Sequence, residues 1–210
     1  DLIEAALDRI GDPDGEGGRT MLRVYAEPAR EAADISDRLR ALGQVPSPIA
    51  GLPISVKDLF DIAGEATTAG SVLLKDAPPA LDDALTVARL RRAGAIIIGR
   101  TNMTEFAYSG LGLNPHYGTP RNPWDRDTGR IPGGSSSGAA VSVSDGMAAA
   151  AIGTDTGGSI RIPSSLCGLT GFKPTARRIP TEGAYPLSHT LDSVGPLAAS
   201  VACCAVIDAI

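Results

Sequence analysis

Histidine, lysine and cysteine are all scarce in this 210-residue chain, and so is any excess of positive charge. The two histidines, His116 and His189, leave a serine–histidine–acid site poorly supplied, because one lies in a loop rich in Pro and Asn and the other in a polar turn. Of the three cysteines, Cys167 sits in an apolar segment, while Cys203 and Cys204 are adjacent, a spacing that strains any mutual disulfide. That is the pattern of a reducing compartment. Nothing reads as a basic leader with an apolar core and cleavage site, and no run approaches the ~18 apolar residues of a membrane span. A net charge of −5 and a pI near 5.0 argue against a nucleic-acid partner. The expectation is a soluble cytoplasmic protein with neither a membrane nor a nucleic acid as partner.

What is present is a chain able to bury a core, with 43% hydrophobic and 20% charged residues. Both ends read as interrupted. Asp1 opens inside a helical pattern (Leu2, Ile3, Ala6, Leu7, Ile10), and Ile210 stops within an apolar segment that has no terminator. After a turn-rich linker at 11 to 18, residues 27 to 42 return to helical spacing through Ala32, Ala33, Ile35 and Leu39. A short strand is expected around Ile54 to Val56, entered through Pro53 and followed at once by Lys57. A helix over 83 to 93 carries Arg89, Arg91 and Arg92 in its last turn and is closed by Gly94, and "AIIIG" (95 to 99) is a buried strand. Helix and apolar strand in alternation predict an α/β fold. Residues 110 to 134 form a long Gly/Pro/Asn loop of the length associated with functional surfaces. Beyond it come a helix of small residues, "SSGAAVSVSDG", a buried strand, "MAAAAIGTD", and a loop running into a further helix, "TGGSIRIPSSLCG".

Two Ser/Gly clusters at loop-to-helix junctions stand out, "GGSSSG" (133 to 138) and "TGGS" (156 to 159). Small residues there could simply allow close backbone approach, and serine could cap the helix. Gly134-Ser135-Ser136-Ser137-Gly138 matches the G-x-S-x-G elbow with Ser136 at its centre. That elbow needs a buried strand immediately before it, and "RNPWDRDTGRIPGG" cannot be one. Neither cluster has the spacing of a phosphate-binding loop. Lysine is a third source of a base, with Lys57, Lys75 and Lys173 set against sixteen arginines. Lys75 and Lys173 read as surface or turn. Lys57 follows apolar "LPISV", where loss of solvation would draw its pKa down from ~10.4 toward neutrality. The competing assignment pairs Lys57 with Asp58 or Asp61.

The run "GGSSSGAAVSVSDGMAAAAIGTDTGGSIRIPSSLCGLTGFKPT" (133 to 175) closely resembles the defining segment of the amidase signature family. "GLPISVKDLFDIAG" resembles that family's lysine segment, and "GRTNMTEFAYSGLGLNPHYGTPRNPWD" and "RIPTEGAYPLSHTLDSVGPLA" resemble its connecting blocks. The likeness runs from about residue 49 to the C-terminus. It implies a three-layer α/β/α sandwich around a large mixed, twisted sheet, present here only in part, with 1–210 as the N-terminal and signature portion of a single domain. It also implies a Ser-cisSer-Lys triad: Ser159 as nucleophile, Ser135, preceded by a cis peptide, as proton relay, and Lys57 as general base and acid. The backbone amides of Thr156, Gly157, Gly158 and Ser159 would form the oxyanion hole. Met103, with Phe106 in the same block, and Gly133 and Gly134 would line the substrate site. Asp155 and Arg161 look like a structural ion pair, and Ser136 and Ser137 like helix-start residues. No cofactor and no metal are expected, the partner is a small-molecule amide, and a homodimer is left open.

Two alternatives stand beside this hydrolase. One is the glutaminase component of glutamyl-tRNA amidotransferase, although proteins of that kind carry Gln after the arginine of "GGSIR" and a "KPTYGR" block. This chain has Ile162 and "KPTARRIP" instead. The other is a non-catalytic scaffold lacking the C-terminal half of the fold.

Overall fold

Alternation along three apolar strands decides the architecture. The structure, a computed structural model, describes all residues from 1 to 210. Its strands are β1 (Met21–Val24), β2 (Pro53–Lys57), β3 (Ile96–Thr101), β4 (Ala150–Asp155), β5 (Thr170–Gly171) and β6 (Ser193–Ala198). Its helices are α1 (Leu2–Gly11), α2 (Gly17–Thr20), α3 (Ala26–Ala41), α4 (Leu85–Arg92), α5 (Ser137–Ser144), α6 (Arg161–Leu166) and α7 (Val201–Asp208). None is long and apolar enough to cross a membrane.

Ile54 and Val56 of β2, Ile97 of β3, and Ala150 and Ile152 of β4 point into one core, shared with Val87 and Leu90 of α4 and with Cys204 and Ile207 of α7. Their neighbours point the other way. Ile96 and Ile98 meet Ile3 and Ala6 of α1 and Ala29 of α3, and Ala151 meets Ala139, Ala140 and Val141 of α5. A strand buried on both faces must be apolar throughout, so helices cover the sheet on both sides. Burying each large aliphatic side chain contributes about 1.5–3 kcal/mol. The sheet order is β1-β3-β2-β4-β6-β5, parallel across β3-β2-β4 and antiparallel at both flanks. This is the mixed sheet and α/β/α layering that the sequence resemblance implied.

Several elements differ from expectation. The linker at 11 to 18 ends in α2, and β1, β5, β6 and α7 had no clear sequence signal. β6 reads "SVGPLA", and proline is rare inside a sheet because it lacks a ladder N–H. Here Pro196 still accepts from Phe172 through its carbonyl at 3.0 Å. Lys57 is also the last residue of β2 and not the residue after it.

The long loop is held by side chains that stand in for backbone pairing. Asn114 donates to the carbonyls of Gly70 and Met103, and Asn122 to those of Ile131 and Leu166. Glu16, buried, accepts from the backbone N–H of Arg121 at 2.9 Å and from its Nε at 2.6 Å, and pairs with Arg19 as well. Glu16→Ala should therefore cost about 2–4 kcal/mol, since it strips a buried acceptor from several donors. A lower urea midpoint with faster proteolysis near 121 to 126 would report it, and an unchanged midpoint would contradict it.

Candidate active site

Parallel pairing of β2 with β4 brings the carboxyl ends of both strands to the same edge of the sheet, where ligand sites gather in open α/β folds. Lys57 ends β2 there, fully buried. Its Nζ lies 2.7 Å from Ser135 Oγ and 2.9 Å from Thr154 Oγ1 and makes no ion pair. Asp58, the competing partner, turns instead to Arg100, whose Nε is 2.8 Å from Asp58 Oδ1, and Asp61 accepts from the Thr67 hydroxyl. The ion-pair assignment for Lys57 is thereby corrected: both carboxylates are engaged by other partners. Burial lowers the Lys57 pKa to about 7, against the pull of the Asp155 and Asp192 carboxylates, which raise it.

Ser135 lies in the buried segment, starting at Pro132, that enters α5. The Gly134–Ser135 peptide is cis, and the Ser135 carbonyl accepts from Thr104 N–H at 3.0 Å. The segment can lie against β4 only because Gly153 has no side chain, since a Cβ there would fall 2.7 Å from Ser136 Oγ. Ser136 and Ser137 start α5 without capping it through their side chains and are fully buried. The Ser136 hydroxyl aims at the Thr154 carbonyl, at 3.4 Å, and has no base beside it.

Ser159 stands in the turn after β4. Its residue is 8% exposed, its Oγ makes no hydrogen bond within the protein, and its carbonyl accepts from Ser136 N–H at 3.3 Å. The two serine-bearing loops are therefore joined through backbone, while the Ser135–Ser159 hydroxyl link implied by the resemblance is not formed in this structure. Asp155 builds the turn. Fully buried, it holds Arg161 through two bonds of 2.9 Å and accepts the N–H groups of Gly158, Ile160 and Arg161. Burial alone would raise its pKa, but these hydrogen bonds, led by that of Arg161, hold it below the usual carboxylate value. The Gly158 amide is thus engaged. Those of Thr156, Gly157 and Ser159 have no partner.

The remaining expected site residues are placed differently. Met103 is fully buried and packs in the larger core. Gly133 and Gly134 are buried: a Cβ on Gly133 would meet Pro163 at 3.0 Å, and the Gly134 N–H donates to the Gly110 carbonyl. Both lie where the backbone is closely approached by its neighbours. Burial pushes the Cys167 thiol up to about 12, which removes it as a nucleophile. An open cavity of about 510 Å³ adjoins Thr104 and is walled by Phe106, Tyr108, Tyr185 and Leu187. His, Cys, Asp and Glu form no cluster that could hold a metal ion.

Sequence reasoning missed Thr154 and Asp192. A threonine beside Asp155 at the end of an apolar run was a usable signal for the first. Asp192 reaches its partner, Thr156, only through the tertiary fold.

At the carboxyl edge of a two-sided mixed sheet, a buried lysine without an ion-pair partner meets a serine on a cis peptide. The chain belongs to the Amidase family, whose model matches residues 1–209. It is 49% identical over 201 residues to AtzE, a component of the 1-carboxybiuret hydrolase of Pseudomonas sp. (strain ADP), covering 96% of this chain and 43% of that protein. It is 49% identical over 175 residues to 2-amino-5-chloromuconic acid deaminase of Comamonas testosteroni, covering 82% and 37%. Among solved structures, the native peptide amidase from Stenotrophomonas maltophilia superposes with a TM-score of 0.88 at 39% identity, covering 99% of this chain and 43% of that one. The chain spans about two fifths of the length of the curated relatives it matches.

Proposed function

We propose that the protein hydrolyses the C–N bond of a small carboxylic amide through a serine acyl-enzyme. The observation that carries this is Lys57 Nζ, buried, unpaired and 2.7 Å from Ser135 Oγ. With a pKa near 7 it is neutral in a useful fraction and can accept a proton. Ser159 Oγ attacks the amide carbon. Its proton passes to Ser135 Oγ while the Ser135 proton passes to Lys57 Nζ. Negative charge collects on the former carbonyl oxygen, and the free amides of Thr156, Gly157 and Ser159 take it up, each donor contributing about 3 kcal/mol. Lys57 returns the proton through Ser135 to the departing nitrogen, the C–N bond breaks, and an ester to Ser159 remains. Water then attacks that ester by the same relay, releasing the carboxylate.

A fluorophosphonate probe should label Ser159, as mapped by peptide mass spectrometry, and Ser159→Ala should abolish both the label and ammonia release from simple amides. Labelling at Ser136 would overturn the assignment.

A further inference from the structure

Asp192 lies immediately before β6, half-buried and with no basic partner. Its Oδ1 accepts the Thr156 hydroxyl, and its Oδ2 accepts the N–H groups of Leu187 at 2.9 Å and Ser188 at 3.0 Å. One carboxylate thus joins two segments. The first is the turn that carries Ser159. The second contains Tyr185 and Leu187, which wall the cavity beside Thr104. Thr156 makes no backbone hydrogen bond, so its orientation rests on that single side-chain contact. The amide of the same residue is one of the three free donors.

Building on the acyl-enzyme reading above, we propose that Asp192 is a positioning residue. Its carboxylate holds Thr156, and with it the free amides of the turn, at a set distance from the cavity wall formed by Tyr185 and Leu187. Catalysis through an oxyanion hole depends on donors that are already aimed, so a turn released at Thr156 loses transition-state stabilisation without losing the site. Asparagine is a weaker replacement for the aspartate. With its oxygen on the two amides, its NH₂ would have to donate to Thr156 Oγ1, and a neutral amide holds that hydroxyl less tightly than a carboxylate does.

The same carboxylate has an electrostatic signature that a mere loop anchor lacks. Two carboxylates bear on Lys57: Asp155 is matched by Arg161, which leaves Asp192 uncompensated. Neutralising it should make the ammonium form of Lys57 harder to hold.

The test compares T156V, T156S and D192N with the wild type, using S159A and K57M as references. T156V should lower kcat about tenfold to a hundredfold with KM within about threefold, and T156S should recover most of that loss. D192N should lower kcat, raise KM through the freed wall, and move the titration of Lys57 to lower pH. With only three lysines in the chain, ¹³Cε-lysine NMR can follow that titration in the absence of substrate. T156V should leave it in place, since no charge changes. Wild-type kcat in T156V, or D192N with both kcat and the Lys57 titration unchanged, overturns the proposal. Failure of the hydrolase reading looks different: the wild type would release no ammonia, or turnover would survive in S159A or K57M, while the Lys57 titration, read without substrate, still tests Asp192.

Discussion

Lys57→Met is expected to lower kcat about 10³- to 10⁴-fold on any amide the protein hydrolyses, while the fold survives. The side chain is replaced by one of similar length inside a site that is already dry. The wild-type pH–rate profile should fall on the acid side with a midpoint near pH 7, because protonated Lys57 cannot accept the proton from Ser135. Stability should respond as well. A lysine whose pKa is lower folded than unfolded binds fewer protons in the native state between about pH 7 and the unfolded value near 10.4. Wild-type stability should therefore climb with pH across that window. The penalty is fully present below about pH 7 and fades above it. Lys57→Met should lack the climb, as urea melts at pH 6, 8 and 10 would reveal. A rate profile flat into acid, or identical pH slopes for the two proteins, would count against a neutral buried lysine.

The second large effect is on the nucleophile turn itself. Asp155→Ala should destabilise the protein by about 3–5 kcal/mol and remove turnover as well. Much of the energy comes from the Gly158, Ile160 and Arg161 amides that lose their acceptor, since Arg161 is half exposed and its pairing is screened by water. The Asp155 pKa is lowered in the folded state, so its contribution is present at neutral pH and lost as pH falls through the folded value. The variant should show a shallower acid-unfolding curve. A wild-type urea midpoint in Asp155→Ala would show that the turn is held by something else.

Much of the scaffold is written in local pattern. The apolar spacing of α1, α3 and α4 and the continuous runs of β2, β3 and β4 are legible because helix and buried-strand periodicities act over a few residues. β1 and β6 are not. β1 has four residues and an arginine, and β6 contains Gly195 and Pro196, so each exists because a partner strand completes its hydrogen bonds. Likewise, α7 shows apolar residues on every side, and only its docking on β6 chooses the face that carries Cys204 and Ile207.

The serine cluster shows the same division. Pattern alone nominated Ser136, and family resemblance nominated Ser135 and Ser159. The structure shows why the middle serine has no base, since its hydroxyl turns to the β4 backbone while that of Ser135 meets Lys57. The four expected oxyanion amides become three free ones, because Asp155 reaches back from the end of β4 to occupy Gly158.

By itself, then, the sequence determined the α/β class, the helices and central strands, and which residue types could do chemistry, all of which depend on neighbours close along the chain. That Lys57 makes no ion pair, which amides are free, and that Asp192 accepts the Thr156 hydroxyl were decided only by the tertiary structure. Desolvation and hydrogen bonding at the edge of the sheet depend on segments brought together from distant parts of the chain, and no local pattern records which of them will meet.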